Sequence, residues 1–311
     1  MAMKRKWCIF FISILLLASC AQQPYRKVRL KVTEPPSTST FFPILEASPN
    51  PLVVKVAVAA ILSPQSTLYT YERLADYLAE KLGRPVELIQ RATYAETNEL
   101  IRTRQVDMAF ICTGAYIRGQ REFEMDLLAV PEINGKTTYQ SYIIVPSTSS
   151  VHYWEDLRGK VFAFTDPLSL SGYMAVLALL KSKGENPGQF FSRTLFTYSH
   201  DNSIRAVAEG WVDGAAVDSL VYEALTKQDL FYQNRVRVIW KSEPFGSPPV
   251  VAPRGLDPAL RMKLRSILLE MDQDKKGREI LALLGVDRFV PGDDRLYDSA
   301  RDVLNVIGGL K

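Results

Sequence analysis

Between residues 52 and 246 the chain keeps returning to one unit: a short apolar run, a break rich in hydroxyl, Pro or Gly residues, and a segment with helical spacing. Leu52 to Leu62 is almost continuously apolar, as a strand buried on both faces requires, and Ser63-Pro64 ends it. Leu74, Tyr77, Leu78 and Leu82 then fall at helical spacing, with Gly83 as a stop and Pro85 beyond it. Strands are predicted at 86–89, 106–111, 127–130 and 139–145, with a polar helix over 95–104 and a loop from Cys112 to Tyr116. The pattern recurs with strands at 161–164, 195–197, 212–217 and 236–240 and a helix over 203–208. Such alternation predicts an α/β fold with mostly parallel sheets. Amphipathic spacing over 257–271, 278–284 and 298–307 makes the C-terminal part helical. Val106-Asp-Met-Ala and Val212-Asp-Gly-Ala each follow a helix and open a strand, which points to two similar lobes.

The stretch Ala163-Phe-Thr-Asp-Pro-Leu-Ser-Leu-Ser-Gly-Tyr173 reads as strand, tight loop and helix start. Ser169 or Ser171 can serve as the N-cap. The first amides of a helix lack intrahelical partners and its dipole favours negative charge, so a serine-lined start suits a small oxyanion. An ordinary capped helix accounts for the same residues.

The first twenty residues belong to another category. Lys4-Arg5-Lys6 precedes an apolar run, Cys8 to Leu17, too short to span a bilayer comfortably. Leu17-Ala18-Ser19-Cys20 then resembles a bacterial lipobox, which makes residues 1–19 a signal peptide and Cys20 the lipidated residue. A plain secretory signal with a chance cysteine is the alternative, and export follows from either. Residues 21–50 are rich in Pro, Ser and Thr, and residues 20–50 read as a tether between lipid and domain, with a short strand at 28–32. With Cys8 removed and Cys20 blocked, Cys112 is left alone and no intramolecular disulfide is expected. Two histidines and one thiol far apart show no zinc spacing, so neither metal nor cofactor is expected. A net charge of +4 over 311 residues, with no dense basic block beyond the N-terminus, argues against nucleic-acid binding.

Several segments together, in this order, resemble the phosphate/phosphite/phosphonate-binding proteins of ABC importers: Tyr77-Leu-Ala-Glu-Lys-Leu-Gly83, Thr93-Tyr94, Val106-Asp-Met-Ala-Phe110, Phe164 to Tyr173, Ser199-His-Asp201, Val212-Asp-Gly-Ala-Ala-Val-Asp218 and Val238-Ile-Trp-Lys-Ser242. The resemblance covers roughly residues 52–290. It implies a two-lobed type II periplasmic binding protein fold with two crossing hinge strands, closing over ligand as a hinge. Lobe 1 would comprise residues 51–140 and 247–311, and lobe 2, with the hinge strands, residues 141–246. The implied role is capture of phosphite, phosphate or an alkylphosphonate for ABC permease subunits, by a monomer lipid-anchored at the extracytoplasmic face of a membrane.

The resemblance also implies a pocket. Tyr94 and Tyr139 match first-lobe contacts, Ser169 and Ser171, with Gly172 and Tyr173 at the same helix start, match the oxyanion seat, and His200 matches a histidine beside it. Asp218 sits where the phosphite-like branch shows Val-Asp-Ser, and Thr113 joins the set by position, with Tyr116 beside it. Two departures from aminoalkylphosphonate binders matter. Leu170 replaces their threonine, and Leu220 stands where they place a carboxylate for the ligand's amine. A buried ammonium would then lack a charge partner, which turns the expectation away from aminoalkylphosphonates. Asp218 can accept a hydrogen bond from a protonated ligand oxygen and would disfavour fully deprotonated sulfate. No nucleophile elbow and no phosphate-loop lysine motif occurs, so no enzyme is expected. The same fold feeding a membrane signalling protein is the alternative use, and a purely structural lipoprotein a further one.

Overall fold

The computed structural model describes residues 53–308. The signal peptide, Cys20, the tether and the strand at 28–32 all lie outside the described residues. In chain order the strands are β1 (Val54–Val58), β2 (Val86–Gln90), β3 (Met108–Phe110), β4 (Met125–Glu132), β5 (Thr138–Tyr139), β6 (Ser141–Pro146), β7 (Val161–Phe164), β8 (Arg193–Phe196), β9 (Gly214–Asp218), β10 (Val236–Lys241), β11 (Phe245–Gly246), β12 (Val250–Pro253) and β13 (Arg288–Val290). The helices are α1 (Pro64–Leu82), α2 (Tyr94–Arg102), α3 (Thr113–Glu122), α4 (Ala175–Ser182), α5 (Pro187–Phe190), α6 (His200–Ala208), α7 (Ser219–Gln228), α8 (Leu230–Arg235), α9 (Pro258–Leu269), α10 (Lys275–Leu284) and α11 (Asp298–Val306).

Two sheets organise these elements. The first has the order β13-β4-β12-β3-β1-β2 and the second β10-β6-β9-β7-β8. Each contains one parallel triplet, β2-β1-β3 and β8-β7-β9. Beside each triplet runs an antiparallel strand, β12 against β3 and β6 against β9. The expectation of mostly parallel sheets is therefore corrected: the sheets are mixed. The reason is topological, because β6 and β12 are the strands by which the chain enters each sheet after crossing from the other. The crossing segments pair with each other as a two-stranded ribbon, with Phe245 opposite Tyr139 and Gly246 opposite Thr138.

Helices cover both faces of both sheets, which gives each sheet two apolar layers. Val56, Met108 and Val250 of the first sheet pack with Leu74 and Leu78 of α1 and Leu264 and Leu268 of α9. Ala57, Ala109 and Val251 face the other way, towards Ile101, Tyr116, Tyr297 and Leu304. In the second sheet Ala163, Ala215 and Val217 meet Ile204 and Val207, while Phe162, Phe164 and Ala216 meet Val176, Leu180 and Phe191.

The Val-Asp-x-Ala pair has a shared structural cause. The Asp107 amide donates to the Lys55 carbonyl (2.8 Å) and its carboxylate accepts from the Lys55 amide (2.8 Å). The Asp213 amide donates to the Val161 carbonyl (2.9 Å) and its carboxylate accepts from the Val161 amide (2.8 Å). Both aspartates thus clamp the first residues of the neighbouring parallel strand, and both satisfy an amide that the ladder leaves over.

Candidate ligand-binding site

In both parallel triplets the C-terminal strand ends lead directly into helix starts: α1, α2 and α3 from the first sheet, and the α4 segment, α6 and α7 from the second. Ligands of open α/β sheets bind outside the carboxyl ends of the strands, and here two such edges face each other. Contacts across them are direct. The Tyr94 amide donates to Asp166 Oδ2 (3.1 Å), the His200 amide to the Ile61 carbonyl (3.0 Å), and the Ser63 amide and hydroxyl to the Asp201 carboxylate (2.9 and 2.5 Å). Gly114 lies so near the 168–170 backbone that an added Cβ would sit 2.2 Å from the Leu168 carbonyl oxygen. The lobes are therefore closed on one another.

The predicted loop-to-helix stretch starts with one turn of π-helix, Leu170–Met174, continuous with α4. Ser169 is its N-cap, and its Oγ accepts from the Gly172 amide (2.9 Å). Gly172 is required by closeness: a Cβ there would meet Thr165 Oγ1 at 2.4 Å and Thr165 Cβ at 2.5 Å. Ser171 faces a different environment. Its hydroxyl is buried and has no hydrogen-bond partner, and the same is true of the Tyr94 and Tyr139 hydroxyls. Asp218 acts on Tyr139 through its charge, and the Thr113 and Ser171 hydroxyls lie near enough to act on it as weak hydrogen-bond partners, although neither contact has full hydrogen-bond geometry. Tyr94 feels Asp166, Asp218 and Tyr139, so these groups form one cluster. Burial raises both phenols well above their usual range, and they remain O–H donors at any physiological pH.

His200 completes the cluster in a defined tautomer. The Asp218 amide donates to Nδ1 (3.0 Å), and the Thr165 hydroxyl lies 3.1 Å from the same nitrogen. Nδ1 is thus an acceptor, and the ring proton sits on Nε2, 3.5 Å from Ser169 Oγ. Burial pulls the imidazole down to about 3, against a smaller opposing pull from Asp201, so the ring is neutral and a poor base near pH 7. Asp218 caps α7, its Oδ1 accepting from the Leu220 amide (2.7 Å) and the Val221 amide (3.4 Å). Burial nevertheless pushes its carboxyl up to about 7.

The expected residues separate accordingly. Tyr94, Tyr139, Ser169, Ser171, His200 and Asp218 come together. Thr113 is next to them, but it is the first residue of α3 and not a loop residue, and its hydroxyl donates to the Gly246 carbonyl (2.8 Å). Tyr116 lies inside α3 with its hydroxyl on Asp294 (2.8 Å), which is a packing role. The Gly172 amide is already used by Ser169, and the half-buried Tyr173 ring packs edge-on against Phe164 and Phe196. Sequence reasoning passed over Ser141, Thr165 and Asp166. Ser141 pairs with Asp218 in the sheet and donates to the Ser171 carbonyl (2.6 Å), which fixes the serine turn. Thr165-Asp166 closes the strand just before Pro167, and that Thr-Asp pair is the local signal for both residues.

Apart from the Asp218 carboxyl, the cluster is a set of neutral hydroxyls and one neutral imidazole. Among the described residues no lysine or arginine is buried. An anion here would be held by hydroxyls and by an imidazole N–H, with no formal positive charge, while the Tyr94, Gly172 and His200 amides at the neighbouring helix starts already have partners. Each buried donor without a partner costs about 1–3 kcal/mol, which a ligand rich in acceptor oxygens would recover.

A family model described as "ABC transporter, phosphonate, periplasmic substrate-binding protein" matches residues 56–297. The phosphate-import protein PhnD of Mycolicibacterium smegmatis is 27% identical over 279 residues, spanning 82% of this chain and 87% of that protein. The crystal structure of a binding protein component of an ABC phosphonate transporter from Pseudomonas aeruginosa superposes with a TM-score of 0.77 at 24% identity, covering 82% of this chain and 86% of that one. PhnD1 from Prochlorococcus marinus, solved with methylphosphonate, superposes with a TM-score of 0.76 at 18% identity, covering 84% of this chain and 100% of that one.

Proposed function

Because the chain belongs to the periplasmic substrate-binding proteins of ABC phosphonate transporters, we propose that it captures a small phosphorus oxyanion, whether phosphite, phosphate or an alkylphosphonate, in the hydroxyl cluster between its lobes. The observation that carries this reading is the trio of buried hydroxyls without partners, Tyr94, Tyr139 and Ser171, beside a histidine whose ring proton is on Nε2, 3.5 Å from Ser169 Oγ. Ser169 and His200 supply two further donors. Asp218 supplies selectivity: an ionised carboxylate there tolerates a ligand oxygen that carries a proton and opposes one that does not. The lobes would comprise 51–140 with 247–311 and 141–246, and closure would exclude water from the site. Binding without turnover is the family's role. The supporting parallels are the phosphate-import relative from M. smegmatis and the methylphosphonate complex of the Prochlorococcus protein.

The test is a thermal-shift panel on residues 24–311, freed of carried-over ligand, with phosphate, phosphite, methylphosphonate, 2-aminoethylphosphonate and sulfate. Stabilisation grows with ligand concentration over Kd. A shift with a phosphorus oxyanion and none with sulfate is expected, and no shift with any of them would overturn the assignment. Lipid attachment at Cys20 belongs to the same proposal: Cys20→Ser should move the protein from membranes to the soluble fraction, and continued lipid labelling would contradict it.

A further inference from the structure

Two buried carboxylates stand beside the hydroxyl cluster, and neither donates to a ligand. Asp166 follows β7 and Asp201 lies in the first turn of α6; they are 1% and 8% exposed. Both reach across to the half of the molecule built on the first sheet. Asp166 Oδ2 takes the Tyr94 amide (3.1 Å), and the Asp201 carboxylate takes the Ser63 amide (2.9 Å) and hydroxyl (2.5 Å).

These contacts are not ordinary helix caps. The start of α2 has a complete capping box of its own: the Thr93 hydroxyl takes the Glu96 amide (3.2 Å), and the Glu96 carboxylate takes the Thr93 amide (2.9 Å). Ser63 is the N-cap of α1, but its hydroxyl caps no amide of that helix. On the second-sheet side each aspartate is tied to a part of the seat. Asp166 Oδ1 takes the Leu168 amide (2.7 Å) and its carbonyl takes the Ser169 amide (2.9 Å), which fixes the approach to the serine turn. Asp201 follows His200, whose own amide donates to the Ile61 carbonyl (3.0 Å). One carboxylate therefore joins Tyr94 to the serine turn, and the other joins segment 61–63 to His200. Burying a carboxylate is costly, and the helix starts that these two face recover part of the cost.

We infer that Asp166 and Asp201 are positioning residues for ligand capture, holding the two halves of the oxyanion seat against one another so that Tyr94 meets Ser169, Ser171 and His200. The inference rests on the oxyanion reading of the cluster. Neither carboxylate touches the ligand; each acts through the group that it holds on the opposite half, and its loss speeds ligand escape.

The experiment is a double-mutant cycle across the halves: Ser63→Ala, Asp201→Ala and both together, with Asp166→Asn beside them. Each is titrated with methylphosphonate, phosphite and phosphate, and dissociation rates are measured for those that bind the wild type. Asp201→Ala should weaken binding about ten- to 150-fold, as loss of hydrogen bonds to a charged group does, with most of the change in dissociation. Ser63→Ala keeps its amide and should lose less. The double variant should bind no more weakly than Asp201→Ala alone, because both changes remove one contact. Asp166→Asn offers an N–H to the Tyr94 N–H and should also release ligand faster. Additive losses in the cycle, or wild-type affinity in Ser63→Ala and Asp166→Asn, would overturn the inference and leave the oxyanion reading standing. No binding of any of the three anions by the wild type would remove the oxyanion reading, and this inference with it.

Discussion

Ser169 and Ser171 are two residues apart and do different work. Ser169 Oγ holds the Gly172 amide, so its loss would cost the fold about 1 kcal/mol through the missing cap. Ser171 Oγ holds nothing in the protein and is buried. Ser171→Ala should therefore leave the ligand-free melting temperature unchanged or slightly raised, while weakening oxyanion binding by about 1–3 kcal/mol, roughly five- to 150-fold. Paired melting curves and titrations check both halves, and normal binding by the variant would remove Ser171 from the site. Asp218 and His200 make a second residue-scale case, because burial shifts them in opposite directions, to about 7 and about 3. Asp218 binds its proton more readily folded than unfolded. Its stabilising contribution is present below its ordinary 3.8 and is lost as pH rises through about 7. His200 binds a proton less readily when folded, so its contribution is present above 6.5 and is lost as pH falls from there towards 3. Between 3.8 and 6.5 the two oppose. Asp218→Asn keeps the cap and removes one of them. Compared with wild type, the ligand-free variant should melt higher at pH 8, by on the order of a few kcal/mol, and lose that advantage on acidification to pH 4. A difference that does not change with pH would show that the carboxyl does not titrate as stated.

At the scale of elements, the paired aspartate clamps explain why two distant segments of sequence look alike. Asp107 and Asp213 tie strand β3 to β1 and strand β9 to β7 with the same pair of bonds. Replacing either by Ala would leave a half-buried strand amide without its acceptor, and each variant should lose about 1–3 kcal/mol in chemical denaturation. Similar losses are expected, and a loss confined to one would mean that the likeness is not functional in folding. These elements were legible because their signals are local: apolar runs give β1, β7 and β9, and Gly83 ends α1 in a left-handed cap. The crossing ribbon was less legible. The run 139–145 reads as one strand, but the chain breaks at Gln140, so that Tyr139 pairs with Phe245 and Ser141 starts the next sheet. The start of α3 reads as a loop because Thr113-Gly-Ala has no apolar period, and its hold on the fold comes from tertiary contacts of Ala115 and Tyr116. Of the site, the serine turn could be read from its own residues, and His200 only through the resemblance. Ser141 and Thr165 act on them through pairing and packing across the sheet, which no local pattern records.

For the molecule as a whole, function depends on two lobes that meet through a few close contacts. Gly114 makes one of them, with room for no Cβ against the Leu168 carbonyl or the Leu170 amide. Gly114→Ala should leave the ligand-free fold as stable as wild type or more so, since alanine suits the first turn of α3. It should also prevent full closure, so that small-angle scattering would show no compaction on adding ligand and affinity would fall. Wild-type compaction in the variant would mean that closure does not pass through this contact. The central claim, that the buried hydroxyls seat a phosphorus oxyanion, is tested most directly by a crystal structure of the chain grown with methylphosphonate. The expected result is one bound molecule with oxygens in hydrogen-bond range of Tyr94 OH, Tyr139 OH, Ser171 Oγ and His200 Nε2. A molecule bound elsewhere, or a cluster that stays unoccupied at saturating ligand, would contradict it.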